Sequence, residues 1–231
     1  MTGAACLPAD ASAEQIAASI AGAIVARQLP PGTRLREEAL ARAYGVSRTK
    51  IRAALLMLTK DKLVRTIPEK GAFVSKPSAA EAREIFAVRR ILEAALARDF
   101  VARARPADYR RIEQHLKQER KAVAAGDAQL RNRLLAEFHL LLAEVVGNSV
   151  LTELLRELSA RSAIITVLYQ SSMDAECSSQ EHQAFIAAAR AGDAERACAL
   201  MLEHLDHVER ALNFDEAPDS GDNSLVTALL A

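Results

Sequence analysis

The sequence predicts a mainly α fold in two parts: an N-terminal helix-turn-helix with a small β-hairpin wing, then a C-terminal antiparallel all-helical bundle. Three observations carry that expectation. Ala, Leu, Glu and Arg dominate the 231 residues, aromatics make up 4% and Trp is absent, a composition that favours helices over sheets. Gly followed by Asp or Asn, at 126–127, 147–148 and 192–193, punctuates runs whose apolar residues recur three to four apart. The charge is also divided: 12 Lys and Arg stand against 6 Asp and Glu up to Lys76, and 18 against 24 from Pro77 onward. A net charge of zero therefore hides a basic N-terminal third, suited to nucleic acid, and an acidic remainder that avoids phosphates.

Several classes are excluded. No apolar run approaches the ~20 residues of a membrane span. Met1 to Asp10 lacks the basic start and apolar core of a signal peptide. Cys6, Cys177 and Cys198 are odd in number, scattered and without CxxC spacing, which argues against a disulfide framework. The expected location is the reducing cytoplasm, with no membrane contact.

Residues 1–12 read as a flexible arm and 13–76 as a DNA-binding domain. From Ser12 to Gln28, Ile16, Ile20, Ile24 and Val25 mark a helix with one buried face. Leu29-Pro30-Pro31-Gly32 ends it, because proline cannot continue helical hydrogen bonding. Thr33-Arg34-Leu35 leads into a short amphipathic helix, Arg36 to Ala43, followed by a turn at Gly45. Ser47 is placed to cap the next helix, whose Ile51, Leu55 and Leu58 form a buried stripe. Arg48, Thr49, Lys50 and Arg52 crowd its first turns, where a helix entering a major groove presents its side chains. Leu63–Ile67 and Ala72–Val74 have strand character and Pro68–Gly71 joins them as a turn, so the pair reads as a hairpin wing.

The run Leu29-Pro-Pro-Gly-Thr-Arg-Leu-Arg-Glu-Glu, with Leu40-Ala, Tyr44-Gly-Val-Ser-Arg-Thr, Ile51-Arg-Ala-Ala-Leu, Leu63-Val and Gly71-Ala-Phe-Val, resembles the winged helix-turn-helix of GntR-family bacterial transcription regulators. The resemblance implies double-stranded operator DNA as partner, with contacts from Arg36, Arg48, Thr49, Arg52 and the wing residue Gly71. Arg48 and Arg52, at i and i+4, suit guanine edges, while Arg36 and Thr49 suit phosphates. Lys50 stands where the family usually has Pro and adds a phosphate contact. Ala53 stands where Glu is common.

Residues 77–213 read as an effector-binding and dimerisation domain. Ser78 caps a helix to about Ala104, carrying Arg89 and Glu93. Pro106 opens a helix to Ala125. Gly126-Asp127, Gly147-Asn148 and Gly192-Asp193 each stop one helix and cap the next, and a polar stretch, Ser171 to Ser179, separates a helix ending near Gln170 from one spanning Gln180 to Ala191. The last of six helices ends near Asn213. Residues 214–231 read as a tail in which Leu225 to Leu230 could dock.

Phe138-His139, Glu181-His182 and His204-Leu205, each in its place relative to the Gly-Asx turns, resemble the all-helical FCD effector domain of the FadR subfamily, as does Arg89 to Glu93. That resemblance implies one divalent metal held by His139, His182 and His204 on the floor of a pocket for a small carboxylate effector. The family's Asp ligand, four residues before the first His, is Leu135 here; Asn132 lies one turn further off on roughly the same face. Zn²⁺ or Ni²⁺ suits three imidazoles; the alternative is three polar residues in a metal-free pocket. Arg89 either forks onto the effector carboxylate or forms a surface ion pair with Glu93. His115 and His207 read as surface residues. The expected function is a ligand-responsive, homodimeric transcription regulator, a repressor by resemblance. Its rivals are a metal-dependent enzyme using the His trio, for which Glu137 is poorly placed as a base, and a DNA-binding dimer with no effector.

Overall fold

In the computed structural model, described for residues 11–25, 28–170 and 172–214, apolar periodicity and capping residues determine where each element starts and stops. Two compact units result, one up to Lys76 and one from Pro77 to Phe214. Nearly all of the expected arm, the whole tail beyond residue 214, and Cys6 lie outside the described residues.

In the first unit, α1 (Ala13–Val25), α2 (Glu37–Tyr44) and α3 (Arg48–Lys60) bury Ile16, Ile20, Ile24, Leu40, Ile51 and Leu58 together. Ser12 and Gln15 cap α1 reciprocally: each backbone N–H donates to the other's side chain, at 2.9 and 3.3 Å. Gly45 ends α2 at φ 63°, a left-handed conformation that only Gly adopts without strain. Three strands follow the order β1-β3-β2, with β1 Arg34–Leu35, β2 Val64–Ile67 and β3 Gly71–Val74, all antiparallel. The hairpin wing is as expected, but Arg34–Leu35 was read as a connector and is a third strand. Two residues are too few for periodicity to show, and the pairing is extended by Gly32 N–H donating to Val74 O at 3.0 Å.

In the second unit, α4 (Ala79–Arg103), α5 (Pro106–Ala124), α6 (Ala128–Val146), α7 (Ser149–Tyr169), α8 (Ser172–Arg190) and α9 (Ala194–Arg210) form the bundle. The Gly-Asx turns work as read. Asp127, Asn148 and Asp193 accept from the backbone N–H three residues on, at 2.9, 3.2 and 2.9 Å. These short turns lay α5 beside α6, α6 beside α7, and α8 beside α9. Phe100, Ile112, Phe138, Leu142 and Phe185 meet in the core.

One boundary is corrected. Ser171 to Ser179 is not a separator: α8 begins at Ser172, because the stretch contains no Gly or Pro and its polar Ser178 and Ser179 are buried rather than solvated. Outside the core, Val88 and Ile91 on α4 and Val150 and Leu154 on α7 remain exposed, Ile91 by 72%. The Arg161–Glu81 ion pair (2.8 Å) and the Arg89–Ser162 hydrogen bond (2.8 Å) tie α4 to α7.

Phe100 is fully buried, edge-on to Tyr109 at 5.6 Å and beside Phe185 at 5.9 Å. Truncation to Phe100→Ala is expected to destabilise the bundle by about 3–5 kcal/mol. Urea unfolding with an unchanged midpoint would contradict this packing.

Candidate functional site

Helical spacing builds the bundle cavity. Asn132, Leu135, Ala136 and His139 occupy i, i+3, i+4 and i+7 on α6 and so share one face. Ser178 and His182 are one turn apart on α8, as are His204 and Val208 on α9. With Arg89 of α4 and Ser162 and Thr166 of α7, these residues line a cavity of about 40 Å³. A water needs roughly 10–15 Å³ on this measure, so there is room for an ion and a few donor atoms. His139, His182 and His204 are all buried, and each offers one ligand nitrogen within 4.8 Å of the others. Two nitrogens on one Zn²⁺ lie at most ~4.2 Å apart, twice the Zn–N length, so small ring movements suffice to close the trio on an ion.

What the sequence reading missed is the layer behind them. Nδ1 of His139 contacts Glu93 Oε2 at 2.5 Å, Nδ1 of His182 lies 3.2 Å from both oxygens of Glu119, and Nδ1 of His204 contacts Glu181 Oε2 at 2.7 Å. A proton on each Nδ1, donated to its carboxylate, leaves each Nε2 lone pair for the cavity. Phe138 stacks on the His182 ring with centroids 3.8 Å apart. Nε2 of His182 and Nη2 of Arg89 are buried without a hydrogen-bond partner. An orphaned acceptor and an orphaned cationic donor on one cavity fit a cation and an anion respectively.

The electrostatics keep two of the imidazoles, those of His139 and His204, neutral. Burial, outweighing the pull of Glu93, brings the His139 pKa down to about 3; burial likewise brings His204 down to about 4. Burial opposes ionisation of Glu93, but Arg89 and then His139 overcome it and hold its carboxyl far below the usual range. Glu119 is held down at about 2 by His182 and His115 against its burial.

Two readings are corrected and one is refined. His115 is not a surface residue: it is buried, with Nε2 2.9 Å from Leu134 O and 3.2 Å from Glu119. Its position one turn before Glu119 was the available signal. Arg89 does pair with Glu93, at 2.6 Å, but the pair is buried instead of exposed, and Nη1 donates to Ser162 at 2.8 Å. His207 is partly exposed and contacts Glu181 at 2.6 Å. Leu135 and Asn132 both line the cavity, and among the described residues its lining includes no carboxylate. Glu137 is outside it, 3.6 Å from Arg133.

In the first unit, α3 buries Ile51, Ala54, Leu55 and Leu58 and turns Arg48, Thr49, Arg52 and Ala53 outward. Ser47 caps it, accepting from Lys50 N–H at 3.4 Å. Arg36 is exposed directly before α2, Lys50 is half-buried, and Gly71 is exposed at the wing with φ 95°. Glu37, the residue after Arg36, carries no motif of its own in the sequence, yet it accepts from both Arg48 and Arg52.

Comparison with known proteins accords with both units. Residues 84–207 match the FCD domain, and residues 12–74 match the gntR family of bacterial regulatory proteins. The chain is 29% identical to the HTH-type transcriptional regulator LutR of Bacillus subtilis over 208 residues, 80% of this chain and 94% of that one. It is 25% identical to the HTH-type transcriptional repressor RspR of Escherichia coli over 187 residues, 80% and 81% of the two chains. A GntR protein from Rhodococcus sp. RHA1 shares the fold, with TM-score 0.66 and 24% identity over 86% of this chain and 95% of its own. Among the described residues no helix is long and apolar enough to cross a membrane.

Neutral buried imidazoles have a pH signature. Between about pH 6 and 5 the unfolded chain binds protons at positions 139 and 204 that the folded chain refuses, so stability falls with pH, by up to about 1.4 kcal/mol per pH unit for each. The pKa of His115 is raised, since Glu119 and the Leu134 carbonyl outweigh its burial; its opposing contribution acts above pH 6.5 and does not cancel the effect. Chelator-treated protein is therefore expected to lose thermal midpoint on going from pH 6 to pH 5. A flat profile would mean these imidazoles are not neutral.

Proposed function

This chain belongs to the GntR family of bacterial regulators and carries an FCD domain, and from that premise we propose a cytoplasmic, homodimeric repressor whose operator affinity is set by a small carboxylate bound beside a divalent metal. The observation that carries the reading is the cavity lined by three histidines, one ring nitrogen of each within 4.8 Å of the others, and by Arg89, whose Nη2 is buried and unbonded. His139, His182 and His204 would hold Zn²⁺ or Ni²⁺, their rings presented by Glu93, Glu119 and Glu181. Bound there, the ion would supply a positive, Lewis-acidic centre that attracts a carboxylate oxygen. Arg89 donates to the same anion, and Asn132 adds a polar contact. Leu135 withholds a protein carboxylate on α6, so among the described residues the anionic ligand has no acidic neighbour on the cavity wall.

On the first unit, Arg48 and Arg52 read base edges, while Arg36, Thr49, Lys50 and the Gly71 backbone contact phosphates. Repression is inherited by analogy with relatives such as RspR. Effector binding acts by favouring one packing of the bundle over another, which requires different affinity for the two. The family consists of transcription regulators, so the enzyme reading is dropped.

Chelator-stripped protein is expected to gain several degrees of thermal midpoint with Zn²⁺ or Ni²⁺, since a ligand of the native state stabilises by mass action. The gain should vanish in His139→Ala. With metal present, at least one small hydroxy- or keto-acid should change operator affinity severalfold. A gain that survives in His139→Ala would place the ion elsewhere. An effector panel without effect on DNA binding would leave a regulator that responds to no acid of this kind.

Two-fold dimers place two reading helices on a pseudo-palindromic site. The exposed apolar residues Val88 and Ile91 of α4 and Val150 and Leu154 of α7 are the proposed dimer face. Ile91→Asp would bury a charge there, so sedimentation should show monomer and operator binding should weaken at least tenfold. A dimer unaffected by this substitution would move the interface elsewhere.

A further inference from the structure

Arg48 and Arg52 look equivalent in the sequence, i and i+4 on one helix face, but α2 treats them differently. Glu37 lies in the first turn of α2 and its side chain is 30% exposed. Both of its oxygens accept from Nε of Arg52, at 3.0 and 2.9 Å. Neither Nη of Arg52 donates to any described residue, and the side chain is 61% exposed. Arg48 is held the other way, by its tip: Nη1 donates to Glu38 and Nη2 to Glu37, each at 3.2 Å.

The two grips leave different edges of the guanidinium available. Bidentate recognition of guanine needs two parallel N–H groups aimed at O6 and N7. The tip of Arg52, with Nη1 and Nη2 side by side, offers such a fork, while the carboxylate holds its inner edge. The tip of Arg48 is occupied, so DNA must first displace two carboxylates. A free arginine on a helix surface samples many rotamers and loses that freedom on binding; one anchored at Nε has already lost part of it.

We propose that Glu37 is a positioning residue for sequence reading: it orients the Arg52 fork toward a guanine edge, making Arg52 the pre-set reader of this helix and Arg48 one that must exchange partners. The proposal rests on the reading that α3 enters the major groove. It also opposes simple electrostatics. A carboxylate at a DNA-binding face repels phosphates, so its removal alone should tighten binding to every duplex alike.

The test uses the full chain and a duplex selected from a random-sequence pool by the wild-type protein. Glu37→Ala, Glu37→Gln, Arg52→Ala and the double variant Glu37→Ala/Arg52→Ala are measured on that duplex, on single guanine substitutions of it and on unrelated DNA. Glu37→Ala is expected to bind unrelated DNA more tightly, yet to lose about 5- to 10-fold of the preference for the one guanine that Arg52→Ala also stops reading. The double variant should relax that position no further than Arg52→Ala does. Glu37→Gln keeps the side chain's shape and one acceptor, should fall between wild type and Glu37→Ala, and carries the test should the alanine variant fold poorly. Preference kept or sharpened at that guanine in the folded Glu37 variants would overturn the inference while leaving Arg52 as a reader. An Arg52→Ala protein that discriminates at every guanine as wild type does would overturn the inference and the role of Arg52 together.

Discussion

An ionised carboxylate with no exposure to water is expensive unless cations and donors surround it. Glu93 is such a group, and the bundle is arranged to satisfy it. Arg89, one turn earlier on α4, supplies the charge at 2.6 Å; His139 on α6 supplies the second contact at 2.5 Å; and Arg89 reaches across to Ser162 on α7. Three helices are fastened around a single negative charge. The cavity inherits its chemistry from this demand. Holding Glu93 fixes which nitrogen of His139 faces inward, and it uses two edges of Arg89 while leaving Nη2 unbonded.

The same device recurs twice with different helices. Glu119 of α5 lies between His115 and His182, and Glu181 of α8 takes His204 and His207, which are one turn apart on α9. Glu181 and His182 are chain neighbours about 100° apart around the helix, so the glutamate serves imidazoles of α9 while the histidine turns to the cavity. Each inward imidazole is thus oriented from a separate direction, and no one glutamate orients two of the three. Fixed tautomers reached by three independent routes make a rigid donor set from side chains that rotate freely in isolation.

Much of this was legible from the residues. Caps at Ser47 and Ser78 and the three Gly-Asx turns are local signals, and they located helix ends to within a few residues. The three cavity histidines were legible through their places relative to those turns. The carboxylates behind them were not, because Glu93, Glu119 and Glu181 meet their partners across helices 23 to 63 positions away. His115 was misplaced for the same reason: a lone His with polar neighbours resembles a surface residue until Leu134 O and Glu119 are seen beside it. Ser171 to Ser179 misled in the opposite way. Polarity there suggested solvent, whereas Ser178 and Ser179 face the interior of a helical bundle with a polar centre.

Phe138 belongs to the apolar core and to the cavity wall at once. One side of its ring lies flat on His182, and its neighbour Phe185 meets it edge-on with centroids 6.0 Å apart, itself beside Phe100. Interiors packed to crystal-like density are stiff and pass displacement on instead of absorbing it. A ring movement at His182 therefore cannot stay a local adjustment; it pushes on a chain of aromatic plates running through the middle of the bundle. Mechanically, the wall of the cavity and the keel of the domain are one piece.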